Sequence, residues 1–95
     1  MTLLWSPPAL GDLEAIRNYH LQQHSVPTAE RVVARIVNQA TRLVVLPQAG
    51  QRVRSPVVVD VRRMPVKPYW IYYRHFLDDV GILRIWHYRK HLLIL

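Results

Sequence analysis

Apolar positions change their spacing once along this chain, near Pro47. Before it they recur every three or four residues, as on a helix; after it they alternate, as on a strand. Thr2–Trp5 is long enough for a short opening strand. Ser6-Pro7 reads as a helix start, because a serine hydroxyl can accept from a free backbone N–H and proline at the first helical position forfeits nothing. Leu10, Leu13, Ile16, His20 and Leu21 then share one broad face, with Asp12 and Glu14 early in the helix. Helix is expected over 7–23. Pro27-Thr28 opens a second, with Thr28 as its cap and Glu30 in its first turn. Ala29, Val32, Val33, Ile36, Ala40, Leu43 and Val44 form its apolar stripe, and Pro47 and Gly50 end it. That predicts helix over 28–46. The short connection makes the two helices an antiparallel hairpin.

The second half is rich in β-branched and aromatic residues. Strands are expected at Val57–Met64, Tyr69–Phe76 and Val80–Tyr88. Turns fall at Val66-Lys67, between Pro65 and Pro68, and at Leu77–Asp79. Arg52–Arg54 can add an edge piece. Strands joined this closely form an antiparallel meander. The expected fold is therefore α+β: an N-terminal strand, then an antiparallel two-helix hairpin packed on a small antiparallel β-sheet at about 51–88. Leu13, Ile16, Val32, Ile36 and Leu43 are its expected core. With 95 residues, one domain over 1–95 is the default.

Composition narrows the function. The formal charge is +7, and eleven of thirteen basic residues are arginine, which suits bidentate contact with phosphate or carboxylate. The partner is expected to be anionic, either nucleic acid or an acidic protein segment. There is no cysteine, hence no disulfide framework. No basic stretch followed by an apolar run opens the chain, and no apolar run could span a bilayer. A cytoplasmic protein with no membrane partner is expected. Three glycines form no phosphate-binding loop, so no cofactor is expected. His20 and His24 lie four apart, and His87 and His91 nearly repeat that spacing. Neither pair has a neighbouring carboxylate or cysteine to complete a metal site, and none is expected.

Alternation places Asp60, Arg62 and Met64 on one strand face, and Trp70, Tyr72, Arg74 and Phe76 on one face of the next. It groups Arg84 with Ile82 and Trp86, opposite Leu83, Ile85 and His87. If Arg62, Arg74 and Arg84 shared a sheet face, that face would suit phosphate contacts with base stacking, or cation–π packing within the sheet. The densest polar cluster is His87, Tyr88, Arg89, Lys90 and His91. Its groups are the components of a metal-free ribonuclease, or of a basic strand end that meets a partner's carboxylates.

Three stretches resemble toxins of the RelE/ParE family: "WSPPALGDLEAIRNYH", "LVVLPQAGQRVRS" and "DVRRMPVKPYWIYYRHFLDDVGILRIWHYRK". The family's first helix has an Ala-x-x-Asp-Leu pattern, its helix end a Leu, a Pro and a Gly-x-Arg. Its strand block carries a strand ending in Tyr-Arg, an acidic turn and an Ile-Leu-Arg-x-x-His ending. The long hairpin and "GILRIWH" look more ParE-like than RelE-like. Tyr88 stands where the family often has glycine, and His91 where an aspartate often follows the basic pair. The resemblance implies a toxin of a type II toxin–antitoxin system with a cognate antitoxin, expected to be acidic. It also implies one of two actions. ParE-like members poison DNA gyrase and need no catalysis of their own. RelE-like members are ribosome-dependent endoribonucleases that cut messenger RNA; here Arg62, Arg74, Arg84, His87, Tyr88 and Arg89 would be the catalytic set. Arg31, Arg35, Arg62, Arg84 and Arg89 are the candidates for partner contact. A basic nucleic-acid-binding domain without toxicity is a third reading. The apolar end Leu92–Leu95 is expected to pack on partner or core.

Overall fold

The computed structural model describes residues 2–90 and Leu93. Two helices pack on one face of a five-stranded mixed sheet. In chain order the elements are β1 (Thr2–Trp5), α1 (Pro7–Gln23), α2 (Val26–Val45), β2 (Gln51–Arg52), β3 (Val61–Val66), β4 (Tyr69–Phe76) and β5 (Asp79–His87). The sheet order is β1-β5-β4-β3-β2. The β3–β4–β5 meander is antiparallel, as its short turns require, while β1 joins β5 in parallel. The expected α+β architecture stands, with that one parallel pair added.

Ser6 caps α1, its hydroxyl accepting from the Ala9 N–H at 3.1 Å, with prolines in the first turn. The cap of α2 is Ser25, not Thr28. The Ser25 hydroxyl accepts from the Thr28 N–H at 3.3 Å, and Pro27 fits inside the first turn, where its missing N–H would have been unpaired anyway. The helix therefore starts two residues earlier than the proline suggests. In α2 the apolar stripe is clean: Ala29, Ile36, Ala40 and Leu43 are buried. In α1 apolar and polar residues are poorly segregated. Ala9 and Ile16 are buried, Leu13 packs partly, and Leu10 is 52% exposed, against its expected place on the inner face. Of the expected core, Ile16, Ile36 and Leu43 are buried, and Leu13 and Val32 pack against them.

The strand expected to begin at Val57 begins at Val61. The Ser55 hydroxyl accepts from the N–H groups of Val57 and Val58, a local alternative to ladder pairing. Asp60 then turns at φ 59°, its carboxylate on Arg52 at 3.0 Å. At its other end β3 runs on through Pro65 to Val66. There it has no outer neighbour among the described residues, so a missing N–H costs no ladder bond.

Tyr73 ties the loop after α2 to the sheet. Its hydroxyl accepts from the Gly50 N–H and donates to the Pro47 carbonyl, each at 2.8 Å. A Cβ on residue 50 would lie 2.6 Å from that hydroxyl oxygen and 2.8 Å from the Arg63 carbonyl, so glycine is required by close approach.

Candidate functional site

Strand register sorts the basic and aromatic residues into two sites. A β-bulge decides the sorting. Tyr72 pairs with Arg84 but Tyr73 pairs with Ile82, so Leu83 is an extra residue in β5. The bulge breaks parity: Ile82 joins the helix-side core, whereas Arg84 and Trp86 take the opposite face. The grouping of Ile82 with Arg84 expected from plain alternation is therefore corrected. The grouping of Trp70, Tyr72, Arg74 and Phe76 holds, since Ile71 and Tyr73 between them lie in the core.

The helix-free face carries Arg63, Trp70, Tyr72, Arg74, Phe76, Arg84 and Trp86. Arg62 is not on it. Arg62 pairs with the core residue Tyr73, and its guanidinium donates to the Gln48 and Gly50 carbonyls at 3.2 and 2.9 Å. It holds the loop, and Arg63 takes the place expected for it. On the outer face each cation covers a ring. Arg63 lies 4.0 Å over Trp70, Arg74 4.8 Å over Phe76, and Arg84 and Lys90 4.9 and 4.7 Å over Trp86. Tyr88 extends the surface, its ring 4.9 Å from Trp70. Such a face offers flat platforms and positive charge together, the combination that receives nucleic-acid bases and phosphates or acidic side chains.

One carboxylate serves this surface. Asp12 of α1 accepts from Arg84 Nε at 2.7 Å and Nη2 at 2.8 Å, and from the Ile85 N–H at 3.0 Å. The hydrogen bonds to Asp12 raise the Arg84 pKa. The other ion pairs among the described residues, Arg17–Glu30 and Arg52–Asp60, lie elsewhere. Among the described residues Arg63, Arg74 and Lys90 make no ion pair.

His87 and Arg89 leave this face. His87 meets Tyr69 edge to face at 5.4 Å on the helix side, and its Nδ1 accepts from the Arg89 N–H at 3.0 Å. Both line a cleft of about 570 Å³ with Tyr19, His20, His24 and Tyr69. His20 Nε2 is 3.1 Å from the Tyr69 hydroxyl, and its ring stacks on His24 at 5.3 Å. Burial, then His24, lowers the His20 pKa; burial, then Tyr19, raises that of Tyr69. His20 is half-buried, in keeping with its place on the inner face of α1. The apparent cluster at 87–91 is therefore split between two sides of the sheet. His91 and the tail residues Leu92, Ile94 and Leu95 lie outside the described residues.

Of the remaining candidates, Arg31 and Arg35 are exposed on α2. Arg35 donates to the Lys67 carbonyl at 3.0 Å and lines a groove of about 430 Å³ with Asn38, Gln39, Arg42 and Val66. The groove runs beside the stretch of β3 that β2 leaves unpaired. Among the described residues no group of three or more His, Cys, Asp or Glu could hold a metal ion, and no helix is long and apolar enough to cross a membrane.

Residues 3–92 match the family model described as the ParE toxin of the type II toxin–antitoxin system parDE. This chain belongs to the ParE toxin family. A solved chain of the chromosomal ParDE toxin–antitoxin system from P. aeruginosa is 29% identical and superposes with a TM-score of 0.77. The alignment covers 92% of this chain and 95% of that one. No curated protein matches. Family membership confirms the toxin resemblance read from the three stretches and its ParE-like leaning. Membership of a toxin family of type II toxin–antitoxin systems implies an antitoxin partner.

Arg63 is the site residue that sequence reasoning missed. It neighbours Arg62, and only the pairing of Arg63 with Tyr72 separates their roles. Asp12, His20 and Tyr69 were equally illegible as site residues, because each acquires its partner across about 50 residues or more.

Proposed function

We propose that the protein is a contact poison of DNA gyrase, neutralised by a cognate acidic antitoxin and acting in the cytoplasm as one domain over 1–95. The observation that carries this reading is the split of the terminal cluster. A ribosome-dependent endoribonuclease would need a proton-transfer group beside its phosphate clamp. The outer face gathers Arg63, Arg74, Arg84 and Tyr88, but His87 and Arg89 point to the other side of the sheet. Tyr88 stays beside the arginines, but the imidazole expected to work with it does not, and such broad platforms and charge suit recognition better than catalysis. The solved relative comes from a ParDE toxin–antitoxin system, which supports the antitoxin part of the reading. The groove at Arg35 and Arg42 beside an unpaired strand edge suits an extended acidic segment, with Arg31 adding charge nearby. Arg84 is held by Asp12 and Arg62 by loop carbonyls, so both act by shaping the surface rather than as free partner contacts.

Induced expression without the antitoxin tests the reading. DNA-damage (SOS) induction, with loss of supercoiling activity when purified protein is added to gyrase, is the expected outcome. Rapid loss of translation with cleaved ribosome-bound messenger, and intact supercoiling, would make the endoribonuclease reading correct.

A further inference from the structure

A ring with its own cation recurs on the helix-free face: Arg63 over Trp70, Lys90 over Trp86 and Arg74 over Phe76. The first two units are neighbours. Trp70 and Trp86 are direct partners across β4 and β5, which sets their Cβ atoms about 4.5–5.5 Å apart. Tyr88 continues the row, its ring 4.9 Å from that of Trp70. The next row across the sheet is Arg63, Tyr72 and Arg84. A line of rings therefore runs beside a line of guanidinium groups.

Charge on this surface is one-sided. Asp12 is engaged by Arg84 and the Ile85 N–H. Asp79, opposite Phe76, stands at the other end of the strands. Arg63 and Lys90 make no ion pair among the described residues. A purely acidic protein segment would answer the cations and leave the rings unused. A DNA duplex would do the same, since its bases stay stacked on each other and its phosphates alone face outward. A chain that repeats a planar group and a negative charge answers both rows, provided its bases are unstacked. Nor do the cations block the rings. A cation–π contact within reach of water is weaker than stacking of a base on an aromatic ring. An arriving base can thus displace the cation, which stays beside it to meet the adjoining phosphate.

We propose that the row formed by Trp70, Trp86 and Tyr88 binds single-stranded DNA, with Arg63 and Lys90 on its phosphates. The inference rests on the gyrase reading for the source of the strand, because gyrase acts on DNA and brings strand and poison to one place. The surface itself is read from strand register and ring geometry.

Fluorescence anisotropy of a labelled oligothymidylate of about 12 nucleotides, titrated with the full chain alone at low salt, tests it. Saturable binding is expected, about tenfold tighter than to a duplex of the same length, the scale of one stacked base. Each phosphate contact on a single strand contributes about 0.7 to the fall of log K with log salt, so two contacts predict a slope of about −1.4. Lys90→Ala should halve that slope and leave the melting temperature unchanged, because the side chain is exposed. Trp70→Ala should weaken binding by about tenfold, and Trp70→Phe, which keeps a platform, should restore most of it. The second variant separates a lost platform from a damaged fold. Equal binding of duplex and single strand overturns the proposal, as does strand binding that survives Trp70→Ala. So does the absence of saturation up to about 100 μM, the weak end of non-specific binding. RNA of the same length bound about tenfold more tightly than DNA would overturn the assignment to DNA. Supercoiling assays on the same variants keep the two readings apart. Gyrase inhibition without strand binding overturns this proposal alone, and strand binding without gyrase inhibition overturns the gyrase reading alone.

Discussion

The two faces of the sheet are built from the same strands and hold together by different physics. Toward the helices, Ile71, Tyr73, Val80, Ile82 and Ile85 meet Ile36, Ala40 and Leu43 in a layer almost sealed from water. Removal of apolar area from solvent stabilises that side, at roughly 25 cal/mol per Å². Toward solvent, arginine and lysine lie over Trp70, Phe76 and Trp86. Such contacts are worth only about 0.5–1 kcal/mol each where exposed. A protein can thus keep large rings at its surface, shielded by groups that a binding partner can displace at little cost. The inner face determines whether the chain folds; the outer face is free to be selected for what it touches.

That division can be broken from the inside first. Ile36 is fully buried, and Ile36→Ala should cost about 2–5 kcal/mol by lost transfer energy and cavity formation. Urea melts will measure it, and a loss below about half a kcal/mol would mean the inner layer is not the source of stability. Asp12 joins the two sides, and Asp12→Ala removes a bidentate pair while leaving the Ile85 N–H unmet. A loss of about 1–3 kcal/mol is expected, the range for a charged, partly buried hydrogen-bond acceptor. Arg63→Ala should cost about 1 kcal/mol, since it removes one half-buried cation–π contact, a bond to Gln51 and a long one to the Tyr72 hydroxyl. The same variant should sharply reduce growth arrest on induction; full toxicity with Arg63→Ala would dissociate the outer face from the poisoning.

The smallest effect is a pH slope. His20 is held below its ordinary value of 6.5 in the folded protein. As pH falls through 6.5 the unfolded chain takes up its proton first, so acidification favours unfolding until the folded His20 also titrates. The urea midpoint should therefore drop as the pH is lowered from about 7.5 to below about 6.5, and His20→Gln should flatten that part of the profile. An unchanged slope in the variant would show that His20 is not the linked group.

How much of this was legible beforehand depended on whether the deciding contact was local. The period of the α2 stripe and the β-branched run at 69–76 fixed those elements, because spacing within one element is set by its own geometry. The start of β3 was not legible, since the Ser55 turn competes with pairing over only a few residues. Site residues fared worse. Arg62 and Arg63 are alike in composition and adjacent in sequence, and register alone sends one to the loop carbonyls and the other to Trp70. The Leu83 bulge reversed the parity argument for Arg84, and nothing in a period-2 pattern marks an extra residue.

Ser6 and Asp12 have one more consequence. β1 stops at Ile82, so the outer edge of β5 beyond it has no neighbouring strand among the described residues. The Ser6 hydroxyl donates to the Leu83 carbonyl at 2.8 Å, and Asp12 accepts from the Ile85 N–H. Helix side chains thus occupy groups to which another copy's strand would otherwise be drawn. That stretch of β5 is thus less open to strand addition than Met64–Val66 on the opposite margin, which β2 leaves uncovered.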